Sequence, residues 1–297
     1  MIIGLASANA IHEISENLNQ KTVELTSQRL GHEFSHMVPW MCLVCLTDTK
    51  VHDLSIFLTQ YRKGDLIVSP EHLKIIGNFL KTEGKPLVDS SLGPLSGLDS
   101  SHWFSVIEDL GANEKNWTDC YSKARSLVVA SDEFFSEIFT DLVHFVVPIE
   151  AFGKFAFSTH LARGAVFFSA PEPPHQELRM AVDLVHEMGH QAMMLFQSAS
   201  PLLTSPLDQP LWSAIRKTYR PAIQCLQAAS ALAYMVVFMR GAMKNANLNA
   251  EEKEFLQESY DKVMDGLAKT LDGLVENSKF TPLGNQIIKE FGQLLNP

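Results

Sequence analysis

The sequence predicts a mostly helical protein of the α+β class with a small antiparallel sheet. Apolar residues recur at three- and four-residue spacing over several long stretches, which is the period of amphipathic helices. Three short apolar runs have the length and the β-branched or aromatic content of strands: residues 142–149, 154–158 and 165–169. The chain has 297 residues and is 46% hydrophobic and 20% charged, which is typical of a globular protein with a sizeable core.

The first hundred residues predict helices followed by a linker. Apolar periodicity indicates helical segments over residues 10–62, and a further helix begins at Pro70 and covers residues 70–82. The stretch "GKPLVDSSLGPLSGLDSS", residues 84–101, is rich in Gly, Pro and Ser and predicts a linker or surface loop. We therefore expect a helical N-terminal region over 1–100 and a second region over 101–297, with one continuous domain as the alternative.

The second region begins with strands and ends with helices. The last two runs are separated by "THLARG", which suits a hairpin loop with Gly164 at its end. After a proline-rich segment, one helix is expected from Pro174 to near Ser200. A strongly apolar helix follows over 222–244, and an amphipathic helix over 250–276 is capped by Asn249.

Charge and composition exclude several classes of partner. The formal net charge is −10, and no cluster of basic residues interleaved with aromatics appears, so we expect no nucleic-acid partner. The N-terminus lacks the basic start of a signal peptide. The longest apolar run, Cys225 to Met239, is too short to span a bilayer. A cytoplasmic protein without membrane association is expected.

The pattern HExxH occurs twice, in "LGHEFSHMV" (His32 to His36) and in "LVHEMGH" (His186 to His190). On a helix, residues four apart share a face, so both imidazoles can reach one metal ion while the Glu lies near a metal-bound water. An apolar stripe surrounds the second copy and places its histidines inward: Leu178, Ala181, Val182, Val185, Gly189, Ala192, Met193 and Phe196. Pro39 ends the helix soon after the first copy. We therefore assign the metal site to His186 and His190, and the first copy to surface or packing residues.

The sequence does not identify a third metal ligand. Zinc peptidases add a His or Glu and keep an open position for water, whereas non-haem iron enzymes use two His and one carboxylate. The downstream acids Glu251, Glu252, Glu254 and Glu258 fit a solvated helix face better than a ligand role. Gln227 is the candidate for the third position, because an amide within an apolar helix is costly unless it is paired. Arg216 and Arg220 suit bidentate capture of a carboxylate, and an ordinary surface pair is equally compatible with their spacing.

The C-terminal half resembles the HEXXH-motif proteins that are encoded with ribosomally made, post-translationally modified peptides. The landmarks occur in order over about residues 142–240: "FSTHLARGAVFFS", "LVHEMGH", "RKTYRP" and "QCLQAAS". The resemblance implies an iron(II)- and 2-oxoglutarate-dependent enzyme that hydroxylates the β-carbon of residues in peptides. It further implies His186 and His190 as iron ligands and Arg216 or Arg220 as the partner of a 2-oxoglutarate carboxylate. Gln227 occupies a position that carries His in some relatives, and Cys225 replaces the usual Gly.

Three functions follow as hypotheses. The first is an iron(II)/2-oxoglutarate oxygenase that hydroxylates a peptide or amino-acid-like substrate in natural-product biosynthesis, with Glu187 at the reacting centre and Ser158 and His160 as substrate-binding candidates. The second is a zinc metallopeptidase with Glu187 as general base. The third is a non-catalytic peptide-binding relative, motivated by Gln227. The expected partner is a peptide or small-molecule substrate, and the sequence is also compatible with a homodimer.

Overall fold

The computed structural model describes residues 8–30, 64–82, 104–151, 156–158, 163–170, 173–245 and 247–296. They belong to two compact units assembled from separated segments. One comprises Met1–Ile14, Ala124–Phe139 and Leu178–Pro297, and the other Ser15–Lys123 and Thr140–Glu177. The predicted linker and the first HExxH copy lie outside the described residues, and a division near residue 100 stays a prediction.

Helices dominate the described residues, which confirms the predicted class. Their bounds are α1 (Ala8–Leu30), α2 (Pro70–Thr82), α3 (Glu114–Ser131), α4 (Glu133–Leu142), α5 (Gln176–Ala199), α6 (Ala222–Asn245), α7 (Ala250–Asn277) and α8 (Pro282–Gln293). The predicted helices over 70–82, 222–244 and 250–276 agree with α2, α6 and α7 to within a residue. These helices could be predicted because apolar periodicity and capping residues are local properties of the sequence.

The second unit contains a five-stranded sheet. Its strands are β1 (Asp65–Leu66), β2 (Phe104–Val106), β3 (Phe145–Ala151), β4 (Ala156–Phe157) and β5 (Ala165–Ser169). The predicted antiparallel hairpin is confirmed as β4 and β5, which pair at Phe157 and Phe167. β3 is parallel to β1 and β5 and antiparallel to β2. The sheet is therefore mixed and not purely antiparallel as predicted. A short apolar run predicts a strand but does not predict the direction in which its partner strand runs.

Buried residues on β3 and β5 form the centre of this sheet. Phe145 and Phe167 are almost fully buried. Gly164 precedes β5 with φ +80°, and a β-carbon there would lie 2.5 Å from Nδ1 of His144. The glycine that was expected to end the hairpin loop is thus needed for both its backbone conformation and the close approach of the imidazole.

In the first unit, α6 packs along α7. Asn249 caps α7 as predicted: its side chain accepts from the backbone N–H of Glu252, whose carboxylate accepts from the N–H of Asn249. The apolar face of α7 is buried at Leu256, Val263, Leu267, Leu271 and Leu274. Arg240 of α6 donates to the hydroxyl of Tyr260 and to the carbonyl oxygen of Leu294, which ties the C-terminus to both helices.

Among the described residues, α6 has the length and composition of a membrane span, yet 67% of its apolar window is buried inside the protein. It is therefore accounted for as a core helix.

A second sheet, which the sequence analysis did not predict, is the hairpin of β6 (Pro210–Ser213) and β7 (Thr218–Pro221). Burial alternates along β6: Leu211 and Ser213 are buried, whereas Trp212 is exposed. The hairpin contacts both α6 and α7. Its loop closes at Lys217, which has φ +52° and donates its backbone N–H to the carbonyl oxygen of Ser213.

Candidate metal centre

Helix α5 brings His186, Glu187 and His190 together. Its predicted apolar stripe is buried from Leu178 to Phe196, and the two histidines are half-buried at the margin of that stripe, as expected. Each of the three residues offers one ligand atom, and these atoms all lie within 4.8 Å of one another. Glu187 is only 3% exposed. A carboxylate in that environment requires hydrogen bonds or a nearby positive charge.

The two imidazoles face each other through their Nε2 atoms, which are 3.0 Å apart. Their ring planes are nearly perpendicular, at 85°. Histidine nitrogens bind zinc-like ions at about 2.0–2.1 Å, so two of them at a right angle lie about 3.0 Å apart, and at the tetrahedral angle about 3.4 Å. The observed separation therefore fits two neighbouring ligands of one ion, and it is closer to octahedral than to tetrahedral geometry.

Contacts from α6 set the protonation of both rings. The imidazole of His190 hydrogen-bonds the backbone carbonyl oxygen of Gln227. Because a carbonyl oxygen only accepts, the imidazole carries the proton there and presents a lone pair towards His186. Nδ1 of His186 lies 3.4 Å from Sδ of Met235, and a thioether is a weak acceptor. Nε2 of His186 therefore faces Nε2 of His190, where it serves as a hydrogen-bond donor in one tautomer and as a second ligand of a shared cation in the other.

Electrostatics keep both rings in the neutral form that binds metals. Burial, followed by the positive charge of Arg216, lowers the pKa of His186 to about 4. Burial also holds the pKa of His190 well below its usual value, and the charges of His186 and of the two arginines add to that effect. Neutral imidazole is the metal-binding form of histidine, so near pH 7 no proton has to be released before an ion binds.

The crossing of α5 and α6 explains the glycine inside the motif. A β-carbon at Gly189 would lie 2.6 Å from Cα of Ala231 and 2.9 Å from the carbonyl oxygen of Ser230. The hydroxyl of Ser230 donates to the carbonyl oxygen of Gly189 at 2.7 Å. The backbone of α6, the helix that supplies Met235 and the carbonyl group of Gln227, thus approaches this glycine closely.

Two arginines from the β6–β7 hairpin complete the surroundings. Arg216 lies in the hairpin loop and is exposed, and Arg220 lies on β7 and is half-buried. The guanidinium Nε of Arg220 donates to the side-chain oxygen of Gln224 at 2.9 Å. Burial and then the charge of Arg216 lower the pKa of Arg220. Among the residues that the structure describes, neither arginine forms an ion pair, so both guanidinium groups keep their positive charge near the imidazoles.

The remaining predicted site residues are placed differently. Gln227 contacts His190 through its backbone carbonyl group, and its amide as a metal ligand stays a prediction. Ser158 directly follows β4 and is half-buried in the other compact unit, whereas His160 lies outside the described residues. Cys225 is buried and carries a free thiol. Met235 was missed, because a methionine in an apolar helix gives no sign that it touches a histidine.

Comparison with known proteins adds no family assignment. No protein-family model matches the chain, and no curated protein sequence matches it.

Proposed function

We propose that this protein is a non-haem iron(II) oxygenase that uses 2-oxoglutarate. The donor set of His186, His190 and Glu187 has the composition of two histidines and one carboxylate that such enzymes use. The observation that carries the proposal is the 3.0 Å separation of the two Nε2 atoms, because it fits neighbouring positions of an octahedral ion. Iron(II) held there would supply activation of molecular oxygen and removal of a hydrogen atom from a substrate carbon.

The chain contributes binding and orientation around that ion. The carbonyl group of Gln227 and the thioether of Met235 hold the two rings so that both Nε2 atoms point at one position. Arg216 and Arg220 supply positive charge for an anionic cosubstrate, since a guanidinium can bind a carboxylate through two parallel hydrogen bonds. Arg220 is already engaged by Gln224, so Arg216 is the arginine that binds the carboxylate of 2-oxoglutarate in this proposal.

Substrate and setting follow from the resemblance of the four sequence landmarks to the HEXXH-motif proteins of ribosomal peptide pathways. On that basis we propose hydroxylation of a peptide or amino-acid-like substrate during natural-product biosynthesis in the cytoplasm. Three of the four landmarks lie on described elements: "LVHEMGH" on α5, "RKTYRP" in the hairpin, and "QCLQAAS" in the first turns of α6.

The test is spectroscopic and does not require the substrate. Protein purified without oxygen is titrated with iron(II) and then with 2-oxoglutarate, and a metal-to-ligand charge-transfer band is recorded. We expect the band in the wild-type protein and its loss in His186→Ala. Succinate formation on admission of oxygen supports the assignment. Absence of both the band and succinate in iron-loaded, folded protein would falsify it.

A zinc metallopeptidase is the second candidate, favoured by the position of Glu187 beside the two histidines of an HExxH helix. In this mechanism Glu187 is the general base that takes a proton from the attacking water. Glu187→Gln should then retain zinc and abolish peptide cleavage. Zinc at one ion per chain together with protease activity selects this candidate over the oxygenase.

A further inference from the structure

The outer face of the β6–β7 hairpin is unusually apolar for an exposed surface. We define the hairpin patch as Trp212, Ile215, Arg216, Lys217 and Tyr219. Trp212 is 54% exposed, Tyr219 68% and Ile215 45%. Of the six large hydrophobic side chains that are exposed among the described residues, these three and Leu207 fall within residues 207–219. Concentrated apolar exposure of this kind is typical of an interaction site.

The strand register explains why these aromatic rings face solvent. Trp212 and Tyr219 are direct cross-strand partners, with ring centroids 5.4 Å apart in an edge-to-face arrangement. The preceding pair, Leu211 and Arg220, projects to the opposite face of the hairpin. A cross-strand aromatic pair stabilises a hairpin, but that role accounts for the contact between the rings and not for the area that both leave exposed.

The charge around the patch is opposite to that of the whole protein. The chain carries a formal charge of −10, yet residues 209–250 contain five Lys and Arg and no Asp or Glu. Arg216 and Lys217 are both exposed at the tip of the hairpin, and neither forms an ion pair with another residue that the structure describes. The tip of the hairpin therefore carries exposed positive charge that attracts an anionic partner.

We propose that the hairpin patch binds an acidic peptide segment that carries apolar side chains. Its carboxylates pair with Lys217, since Arg216 is assigned to the cosubstrate, and its apolar side chains cover Trp212 and Tyr219, the residue types that dominate peptide-binding energetics. A second copy of this chain is disfavoured as the occupant, because a symmetric contact would place the same positive charges against each other. Nucleic acid is disfavoured by the net charge of the chain.

This binding does not depend on the metal chemistry. The patch shares the β6–β7 hairpin with Arg216, whose charge contributes to the low pKa of His186. A role of the hairpin patch as a substrate anchor would rest on the proposed function. Binding of the peptide to the patch is measured on metal-free protein. Failure of one assignment therefore leaves the other intact.

The probe is a short fluorescein-labelled peptide built from Glu, Leu and Gly, and binding is followed by fluorescence anisotropy on the full chain. Two further peptides replace Glu by Lys or Leu by Ser. We expect that only the Glu/Leu peptide binds. Salt should weaken this binding because the charges on the patch are exposed. Trp212→Thr/Tyr219→Thr should weaken binding at least about tenfold while the β-forming residues preserve the hairpin. Lys217→Asn removes the charge, and Asn tolerates the positive φ.

Matched controls separate the patch from general surface effects. Val275→Thr removes another exposed apolar side chain of the same unit, and Lys244→Asn removes another exposed cation; both should bind like the wild type. Circular dichroism verifies the fold of each variant. The proposal is overturned if the patch variants bind as tightly as the controls or if the Lys peptide binds equally well. Self-association through the patch in sedimentation, or tighter binding of a single-stranded oligonucleotide, also overturns it.

Discussion

Gly189 of α5 and Ala231 of α6 touch through their backbones, since a β-carbon at residue 189 would lie only 2.6 Å from Cα of Ala231. This crossing point lies between His186 and His190. The same helix pair therefore fixes the contact of His186 with Met235 and that of His190 with the carbonyl group of Gln227. Packing and metal binding are linked at one position of the motif.

Gly189→Ala should destabilise the protein and weaken the metal centre together. The added methyl group meets backbone atoms, which cannot rotate away, so α5 and α6 must separate. Overpacking of this kind costs about 1–3 kcal/mol. Urea unfolding monitored by circular dichroism measures the loss, and a metal titration of the folded variant should show weaker binding.

Gly292→Ala is the matched control for that substitution. Gly292 lies in the last turn of α8, and nothing lies within 4 Å of its added β-carbon. Alanine is favoured over glycine in helices by about 1 kcal/mol, so this variant should be as stable as the wild type or more so. Equal effects of the two substitutions would contradict the role given to the helix crossing.

Metal binding should stabilise the folded protein through His186 and His190. A ligand that binds only the folded state raises the free energy of unfolding by about 2.7 kcal/mol at a hundred times its dissociation constant. Thermal unfolding in the presence of iron(II) or zinc should shift upward in the wild type and stay unchanged in His186→Ala and His190→Ala. His72→Ala changes a half-buried histidine on α2 that belongs to no cluster of possible metal ligands among the described residues. It should retain the shift, and loss of the shift there would indicate non-specific binding.

The sequence predicted the long helices and the two histidines because these depend on local spacing. Helices α6 and α7 were found from periodicity and from the Asn249 cap. The β6–β7 hairpin escaped prediction because its strands have four residues each, include Pro210 and Pro221, and join through a loop that closes at Lys217 rather than at Asn-Gly.

The α6 contacts of the site could not be predicted either. Met235 reaches His186 across 49 residues of chain, and this contact depends on how two helices cross. The contact from Gln227 uses a backbone carbonyl group, which every residue type carries. What the sequence could indicate was the space at Gly189, since glycine inside a helix costs about 1 kcal/mol and needs a structural reason.

Met235→Leu should weaken metal binding with little loss of stability. Leucine conserves volume, so the change costs less than about 1.5 kcal/mol of stability. It removes the sulfur acceptor from Nδ1 of His186, and loss of such an orienting partner lowers metal affinity about 10- to 100-fold. Metal titration measures the affinity. Met239→Leu, one turn further along α6 and fully buried, is the packing control, and an equal loss in both variants would show that the effect is general packing.

Arg216→Gln should raise the concentration of 2-oxoglutarate needed for half-saturation without weakening iron binding, because the charge that is removed repels a cation. A hydrogen bond to a charged group contributes about 1.5–3 kcal/mol, so roughly a 10- to 100-fold increase is expected. Arg216→Lys keeps the charge but loses the paired hydrogen bonds, and should fall between the wild type and the Gln variant. The charge-transfer band, titrated with 2-oxoglutarate at fixed iron, provides the measurement. Lys253→Gln, an exposed cation on α7, should titrate like the wild type. If Arg216→Gln also titrates like the wild type, the cosubstrate carboxylate is bound elsewhere, and Arg220 is the next residue to change.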